Sequence, residues 1–476
     1  MPNEKPFIHM IKTPLNKYFY DVNTNMFVQV NDDVYQYLNE VEHGEGDLYN
    51  IPDRQICHNI SYLQEQGFLS MEHPKKIQHG SNELLEYHLN ENINQIALQV
   101  TQQCNFRCAY CVYSAGDFVH QRSHSPKHMS IDTACAAVDF FTARCGNQNQ
   151  PAIAFYGGEP LLEFPLIQDV VKYAEKRIYG KKLRFAITTN ASLLTPNIAQ
   201  FFIEHNFLTT ISLDGASEAH DRSRRFANNG KGSFAAISNN LKKVLEECPN
   251  FKYSFNVVID PRFACDSVHK LFSYEPPFCN VRFTTNYISD MYSIEKTVAG
   301  DKFKQQNDCY TFKGYLAFRG IYDQENVSRV AYTTLANRFG KLQRRMKPEA
   351  PLPDVTAPSG PCIPGARRLL VDVDGNFYPC ERVSETSQAM NIGNLQEGFD
   401  YDKVIKLLNI AQTTAESCKN CWAFRHCNLC CSHSDNCGEL SADLRSSQCS
   451  NTRLYVEDMF KDYLWMKEFD VVVNHT

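Results

Sequence analysis

The sequence lacks any long apolar run, and none of its segments approaches the ~20 apolar residues of a membrane-spanning helix. It also lacks an excess of basic residues, because 48 Lys and Arg stand against 54 Asp and Glu, giving a net charge of −6. That balance argues against a nucleic-acid-binding surface. The opening segment, MPNEKPFIHMIKTPL, has no apolar core of the kind that signal peptides carry. We therefore expect a cytoplasmic protein with no membrane and no nucleic-acid partner.

Cysteine, by contrast, is abundant, with 19 residues in a chain of 476. Such a chain is too long for the disulfide-dense scaffold of a small secreted protein, so clustered thiols are expected to hold metal. Two clusters stand out, at residues 104–111 and 362–449. Six other cysteines lie singly among apolar residues and are expected to pack as small hydrophobic side chains: Cys57, Cys135, Cys145, Cys248, Cys265 and Cys279.

Residues 1–92 combine strand patterns with two helical patterns. The strand patterns are PFIHMIKT, KYFYDV and MFVQV, and the helical patterns are DDVYQYLNEVEH and PDRQICHNISYLQEQG. Strands joined to a helix–turn–helix predict a small winged-helix-like domain. Winged helices often bind DNA, but the acidic character of this segment argues against that function.

From residue 93 to residue 290, strand and helix patterns alternate regularly. The alternation predicts an α/β fold with a parallel sheet, either open or rolled into a partial (β/α)6 TIM-type barrel. Polar or glycine-rich motifs stand at the C-terminal ends of the strands, where such folds build their active sites. The six predicted strands are NQIALQV, AIAFYG, KLRFAITTN, FLTTISLDG, KYSFNVVID and NVRFTTNYI.

Three further regions complete the chain. Residues 291–358 form a bridging region of mixed helix and loop that contains the proline-rich stretch KPEAPLPDVTAPSGP. Residues 359–450 hold the second group of cysteines in a loop-rich domain. Residues 451–476 form a tail with a helical pattern.

The stretch CNFRCAYC, residues 104–111, places three cysteines at C-x3-C-x2-C spacing directly after the first strand of the alternating region. Closely spaced thiolates select zinc or an iron–sulfur cluster. A structural zinc site takes four ligands, whereas three cysteines without a nearby fourth fit a [4Fe–4S] cluster with one open iron. In spacing and position, this cysteine loop resembles the signature of the radical SAM superfamily.

The resemblance implies that Cys104, Cys108 and Cys111 each ligate one iron. The open iron would bind the amino and carboxylate groups of S-adenosylmethionine (SAM). In that superfamily the cluster passes one electron to the SAM sulfonium and releases a 5′-deoxyadenosyl radical. Tyr110 occupies the aromatic position that the family places near the adenine.

The motifs at the other strand ends extend the resemblance. YGGEP resembles the glycine-rich motif whose backbone approaches the methionyl ammonium, with Glu159 as an acceptor or as an anchor of the loop. TTN and SLDG offer polar groups for the ribose and the carboxylate. HDRSRR is either a SAM carboxylate clamp or a solvated basic turn. The residues that the resemblance assigns to SAM are Tyr110, Gly157, Gly158, Glu159, Asn190, Ser212, Asp214 and Arg222.

The second group of cysteines has the spacing C-x12-G-x4-C, then C-x2-C-x5-C-x3-C, and then a final C. It resembles the SPASM domain, a seven-cysteine extension of radical SAM peptide maturases. The resemblance implies two auxiliary [4Fe–4S] clusters and three clusters in all, although the spacing alone also allows a double zinc site. The first auxiliary set consists of Cys418, Cys421, Cys427 and Cys449, and the second auxiliary set of Cys362, Cys380 and Cys431.

The second auxiliary set has only three cysteines. Many SPASM proteins complete this cluster with a cysteine shortly upstream of the first one, but PDVTAPSGP contains none. Either Cys309 loops back to ligate the cluster or one iron is open to a substrate thiolate. Cys430 and Cys437 are interpreted as packing or spare thiols.

The resemblance also implies a role for residues 1–92. Radical SAM maturases of ribosomal peptides often begin with a winged-helix-like element that recognises the leader of the precursor by strand addition. We therefore favour a maturase of the ranthipeptide or sactipeptide type that forms Cys thioether crosslinks in a ribosomally made precursor. Such an enzyme draws electrons from an external low-potential donor of the flavodoxin or ferredoxin type.

Two other functions stay open at this point. One is a different radical modification of a peptide or protein, such as a carbon–carbon crosslink, an epimerisation or a sulfatase-type oxidation of Cys or Ser. The other belongs to a different class and is a zinc-containing winged-helix regulator. The sequence assigns no catalytic acid or base.

Overall fold

The N-terminal part of the chain forms a three-stranded antiparallel meander followed by two helices, as its patterns predict. The computed structural model describes residues 5–113, 122–293 and 296–471. Asn31 caps the first helix by accepting a hydrogen bond from the Val34 amide, and Gly44 ends it with a φ of 87°. The elements are β1 (Ile8–Lys12), β2 (Lys17–Asp21), β3 (Met26–Val30), α1 (Asp32–His43), α2 (Arg54–Glu65), β4 (Lys76–Ile77) and α3 (Leu85–Glu91).

The next region contains the six predicted parallel strands, which pair side by side in chain order. Helices connect them, and two begin at side-chain caps: Ser130 accepts from the Thr133 amide, and Thr195, followed by Pro196, accepts from the Ile198 amide. The elements are β5 (Gln95–Thr101), α4 (Ile131–Thr142), β6 (Ala152–Gly157), α5 (Phe164–Arg177), β7 (Arg184–Thr189), α6 (Pro196–Glu204), β8 (Phe207–Ser212), α7 (Ser217–Ser223), α8 (Phe234–Glu247), β9 (Tyr253–Ile259), α9 (Asp266–Tyr274) and β10 (Phe283–Tyr287).

The C-terminal region does not stand apart from this sheet. Its first hairpin extends the sheet beyond β5, so that the full order is β10-β9-β8-β7-β6-β5-β12-β13. Strand β12 is parallel to β5, and β13 returns antiparallel to β12. The elements are α10 (Asp301–Phe318), α11 (Arg329–Arg345), β11 (Val355–Thr356), β12 (Leu369–Val371), β13 (Phe377–Tyr378), β14 (Gly393–Asn394), β15 (Gly398–Phe399), α12 (Tyr401–Leu408), α13 (Ala415–Lys419), α14 (Ala442–Ser447) and α15 (Cys449–Glu468).

The N-terminal meander is buried on both faces. Because side chains alternate along a strand, Phe19 of β2 packs with α1 and α2 while Tyr18 and Tyr20 point to the opposite face. That second face packs against α11 and α15, where Phe339 and Phe460 are fully buried. Burial of each such aromatic side chain stabilises the fold by roughly 1.5–3 kcal/mol. The meander is therefore built into the C-terminal half of the molecule.

No helix within residues 5–113, 122–293 and 296–471 is both long enough and apolar enough to cross a bilayer.

Candidate active site

The cysteine loop follows β5 and is held by backbone hydrogen bonds on two sides. On one side, the amides of Gly158 and Glu159 donate to the carbonyls of Thr101 and Gln103, at 2.9 and 2.8 Å. On the other side, the amides at positions 107 and 109 donate to the carbonyls at positions 225 and 223, at 2.9 and 3.1 Å. The segments that the sequence marked as YGGEP and HDRSRR thus enclose the cysteine loop.

The two glycines of YGGEP allow this close approach. A Cβ atom on Gly157 would lie 2.1 Å from the carbonyl oxygen of Thr101, and one on Gly158 would lie 2.0 Å from that of Gln103. Gly157 also has a φ of 136°, a conformation that side chains disfavour. The missing side chains let the backbone of the cysteine loop pack against the two glycines. The approach of the glycine backbone to the methionyl ammonium stays a prediction.

Glu159 is buried and both of its carboxylate oxygens accept hydrogen bonds. One oxygen accepts from the Leu161 amide at 3.0 Å and from the Thr189 hydroxyl at 2.6 Å, and the other accepts from the Asn190 amide at 2.7 Å. Burial raises the pKa of this carboxyl, and the three donors oppose that rise. Of the two roles that the sequence allowed, Glu159 has the contacts of a loop anchor, because it ties the ends of β6 and β7 together.

Asn190 reaches the cysteine loop directly. Its side-chain amide lies 3.9 Å from the Cys104 sulfur and donates to the Asn105 side chain at 2.9 Å. Burial raises the pKa of Cys104 and of Cys108 to about 12 each, so the thiols alone stay protonated. A positively charged centre is what converts buried thiols of this kind to thiolate ligands. The donor set therefore fits an iron–sulfur cluster.

Asp214 lies at the centre of a buried polar group beside the cysteine loop. Its carboxylate forms an ion pair with the Arg224 guanidinium at 2.9 Å and accepts a hydrogen bond from the Tyr110 hydroxyl. It also accepts from the Val258 amide at 3.2 Å, which links β8 to β9. Tyr110 and Asp214 line a small cavity together with Val258 and Cys265. Three residues assigned to SAM from sequence, Tyr110, Asp214 and Arg222, thus line one cavity.

The other two candidates differ, because Ser212 lies within the sheet whereas Arg222 lines the same cavity as Tyr110 and Asp214. Ser212 is buried at the end of β8, where it pairs with Asn256 of β9. Arg222 is exposed, and its guanidinium lies 3.9 Å from the centre of the Phe263 ring. Arg224 of HDRSRR is buried against Asp214, and its charge lowers the pKa of Cys108 against the larger effect of burial. Arg222 stays a prediction for SAM, and Arg224 is a second arginine of the segment beside the cysteine loop.

His220 completes the same segment. It is fully buried, accepts from the Asp214 amide at 3.2 Å and lies 2.9 Å from the Ser233 hydroxyl. Burial lowers its pKa to about 3, so the ring is neutral and its role is to hold the turn. With His220, Ser223 and Arg224 buried, HDRSRR is not a solvated basic turn.

The four cysteines of the first auxiliary set surround one cavity of about 220 Å³. Arg445 also lines this cavity and is 1% exposed. Its guanidinium lies 3.3 Å from the Thr414 hydroxyl and 3.4 Å from the Leu429 carbonyl, while its Nη2 atom has no hydrogen-bond partner among the residues that the structure describes. A buried, partly unsatisfied cation beside four thiols fits an anionic centre such as a cluster with four thiolates.

The three cysteines of the second auxiliary set also share one environment. Cys362 precedes β12, Cys380 follows β13, and both interact electrostatically with Cys431. Cys430 belongs to the same group, because it interacts electrostatically with Cys362, Cys380 and Cys431. Cys309, the alternative fourth ligand, is exposed on α10. Within the part of the chain that the structure describes, no three His, Cys, Asp or Glu side chains converge as the ligands of a single metal ion do.

The structure also contains a buried polar network that no motif of the sequence indicates. Arg122 forms an ion pair with Glu385 at 2.9 Å and lies 3.1 Å from the Tyr156 hydroxyl. Gln99 donates to Glu385 at 2.7 Å and to the Tyr113 hydroxyl at 3.0 Å. These residues are far apart in the chain and belong to no motif, so their pairing is visible only in the fold. The network joins the residues next to the cysteine loop to those next to Cys380.

Comparison with known proteins places these features in context. The model of the radical SAM superfamily matches residues 98–263. Radical SAM cyclopropyl synthase TigE of Paramaledivibacter caminithermalis is 25% identical over 276 residues, 53% of this chain and 56% of that protein. A cysteine-type anaerobic sulfatase-maturating enzyme of Clostridium perfringens is 24% identical over 370 residues, 75% of this chain and 93% of that enzyme.

A second enzyme of the latter name, from Clostridium novyi, is 33% identical over 178 residues, 35% of this chain and 43% of that enzyme. The chain thus spans about half the length of TigE and of the Clostridium novyi enzyme.

Solved structures show the same fold. Native anSMEcpe with bound AdoMet superposes with a TM-score of 0.58 at 19% identity, covering 79% of this chain and all (100%) of that one. Its complex with AdoMet and the Kp18Cys peptide gives a TM-score of 0.57 at 20% identity, covering 79% and 99%. The likeness confirms the predicted α/β architecture with a mostly parallel central sheet.

Proposed function

We propose that this chain is a radical SAM peptide maturase that reductively cleaves SAM to modify a ribosomally made precursor, because the model of the radical SAM superfamily matches its residues 98–263. The bond that we favour is a thioether from a cysteine sulfur of the precursor to one of its carbons. The match to an enzyme superfamily over residues 98–263 argues against the alternative function, a zinc-containing winged-helix regulator.

The observation that carries the proposal is the enclosed cysteine loop. Cys104, Cys108 and Cys111 would hold a [4Fe–4S] cluster, which supplies the electron that cleaves the SAM sulfonium. Asn190 places its amide toward the Cys104 sulfur, and hydrogen bonds to sulfur tune the potential of such clusters. Arg224 provides positive charge near Cys108. The protein's part is to fix the loop, exclude water and orient SAM.

The relatives support a peptide substrate. Two are called sulfatase-maturating enzymes, and one solved structure contains a peptide together with AdoMet. We propose a peptide substrate for this chain as well, with reducing equivalents from an external low-potential flavodoxin or ferredoxin.

The N-terminal meander supports recognition of a leader segment. Strand β3 pairs with β2 along one edge and with no other strand among the described residues. Beside it lies a groove of about 540 Å³ between β3 and the end of α15, lined by Asn16, Phe27, Gln29, Tyr463, Lys467 and Glu468. An extended peptide that adds to β3 would gain main-chain hydrogen bonds from the strand and side-chain contacts from the groove.

The auxiliary cysteine sets support oxidative closure of a crosslink. Forming a thioether removes two hydrogens from the peptide: one leaves as an atom, and the other as a proton and an electron. A nearby cluster can accept that electron. We propose that both auxiliary sets hold [4Fe–4S] clusters, so that the chain binds about twelve irons.

Mass spectrometry of the product tests the proposed bond. The reconstituted enzyme is incubated anaerobically with SAM, dithionite and a cysteine-containing peptide encoded beside its gene. We expect 5′-deoxyadenosine, a loss of two hydrogens per crosslink and a matching loss of thiols that iodoacetamide can alkylate. A loss of two hydrogens with every thiol still alkylated would identify a carbon–carbon crosslink instead. An unchanged mass would identify an epimerisation.

A sulfatase-type oxidation of Cys or Ser is the second candidate. The Clostridium perfringens enzyme favours it, because the similarity covers 93% of that protein. Its product is an aldehyde, so a peptide that gains reactivity toward hydrazide reagents would support this candidate over a thioether.

A further inference from the structure

We propose that Cys430 is the fourth thiolate ligand of the auxiliary cluster held by Cys362, Cys380 and Cys431, and that this cluster has no open iron. The inference rests on the auxiliary clusters of the proposed function. It assigns a ligand role to a cysteine that the C-x2-C-x5-C-x3-C spacing leaves out.

The approach of the Cys362 segment to the Cys430 segment is set by backbone contacts. A Cβ atom on Gly360 would lie 2.2 Å from the carbonyl oxygen of Leu429, so the two backbone segments are in direct contact. Gly360 lies two residues before Cys362, and Leu429 lies one residue before Cys430. The Ser359 hydroxyl donates to the Cys427 carbonyl at 2.9 Å and extends this contact. Only glycine allows such an approach, and it brings Cys362 toward the Cys430–Cys431 pair.

Hydrogen bonds bring the Cys380 segment to the same place. Asp435 follows the short helical turn that begins at Cys431, and its carboxylate accepts from the Ser387 hydroxyl at 2.6 Å and from the Tyr292 hydroxyl at 2.7 Å. The Tyr292 hydroxyl in turn accepts from the Ser384 amide at 3.3 Å. The loop after Cys380 is thereby fixed against the turn that carries Cys431.

The four thiols also act on one another. Cys431 is buried, Cys380 and Cys430 are half-buried and Cys362 is exposed. Cys430 interacts electrostatically with Cys362, Cys380 and Cys431. Cys309 lies on α10, and the interactions that join these four thiols do not include it. In binding iron, each thiol would lose its proton to solvent and form one sulfur–iron bond, so four thiols supply one ligand to each of four irons.

A purely structural role for Cys430 is the competing explanation. Its sulfur caps the turn at Cys431–Ser434 and lies 3.0 Å from the Ser432 hydroxyl. Serine, threonine, asparagine and aspartate are the residues preferred at such a cap, and cysteine adds nothing that a hydroxyl lacks. Thiolate chemistry accounts for a cysteine there.

A fourth cysteine ligand would change the role of this cluster in the reaction, because no iron would be open to the substrate. With four thiolate ligands, the cluster would accept an electron without binding the substrate thiol. A substrate thiolate would reach iron only by displacing a cysteine.

Iron content in the absence of the SAM cluster tests the assignment. The full chain with Cys104, Cys108 and Cys111 all changed to Ala is reconstituted anaerobically with ferrous iron and sulfide, and it should bind about eight irons. In this background, Cys430→Ser keeps a good cap but removes the thiolate. We expect it to lose at least one iron per chain and to change the EPR spectrum of one reduced cluster. Cys309→Ser, the matched control, should change neither.

The outcomes separate this inference from the proposed function. Full iron content and an unchanged EPR spectrum in Cys430→Ser would overturn the ligand role, and so would loss of iron in Cys309→Ser. The four irons of the first auxiliary set report that the variant is folded, and Cys430→Ala repeats the test without a hydroxyl that iron can bind. A background chain that binds no iron would overturn the proposed auxiliary clusters, and the role of Cys430 with them.

Discussion

At the scale of single residues, the two arginines Arg222 and Arg224 of the segment HDRSRR differ in burial and in their partners. Arg224 is buried in an ion pair with Asp214, whereas Arg222 is exposed against Phe263. Removal of one partner from a buried ion pair costs about 3–5 kcal/mol, because the other charge stays uncompensated. We expect Arg224→Met to lower the free energy of unfolding by that amount, while Arg222→Met leaves the free energy of unfolding unchanged. Urea unfolding measures both, and equal losses of stability would contradict a buried ion pair at Arg224.

Arg445 offers a second prediction at this scale. It is buried beside the first auxiliary set, where its positive charge favours the more negative, reduced state of a cluster. We expect Arg445→Leu to lower the reduction potential of that cluster by tens of millivolts, and Arg445→Lys to restore part of the loss. Arg453 lines the same cavity but is exposed, so Arg453→Leu is the matched control and should shift the potential less. Redox titration followed by EPR decides, and equal shifts would show that burial of the charge is unimportant.

At the scale of secondary-structure elements, an ion pair between Arg122 and Glu385 links two parts of the sheet. Both side chains are at most 8% exposed, and they join the region of β5 and β6 to the loop after Cys380. We expect Arg122→Met or Glu385→Gln alone to destabilise the fold by about 3–5 kcal/mol, and the double variant by less than the sum of the two. A double-mutant cycle from urea unfolding measures the coupling. Additive losses would show that the two charges do not interact.

Among the secondary-structure elements, some can be predicted from the sequence and others cannot. The six parallel strands were predictable because strands covered on both faces read as apolar runs, and each ends in a polar or glycine-rich motif. The pairing of β12 with β5 was not predictable, since it joins segments far apart in the chain through three residue pairs. Neither was the ion pair of Arg224 with Asp214, because Arg224 follows α7 and only the fold brings it to that carboxylate. The place of Cys430 beside Cys362 depends likewise on a backbone contact at Gly360 that spacing does not encode.

At the scale of the whole molecule, the N-terminal meander is packed into the C-terminal half. Phe19 and Tyr20 are adjacent and fully buried, but Phe19 faces α1 and α2 whereas Tyr20 faces α15. Truncation of a buried aromatic side chain costs about 3–5 kcal/mol. We expect Phe19→Ala to increase amide hydrogen exchange in α1 and α2, and Tyr20→Ala to increase it in α11 and α15. The same exchange pattern in both variants would contradict a meander that is buried on two separate faces.

Cleavage of SAM by the cysteine loop is the central claim, and iron content measured together with 5′-deoxyadenosine tests it most directly. The full chain and its variant with Cys104, Cys108 and Cys111 all changed to Ala are reconstituted side by side and incubated with SAM and dithionite, without peptide. We expect about twelve irons in the unaltered chain and about eight in the variant. The variant should also form no 5′-deoxyadenosine. Equal amounts of 5′-deoxyadenosine from both proteins would contradict the assignment of these cysteines to the SAM cluster.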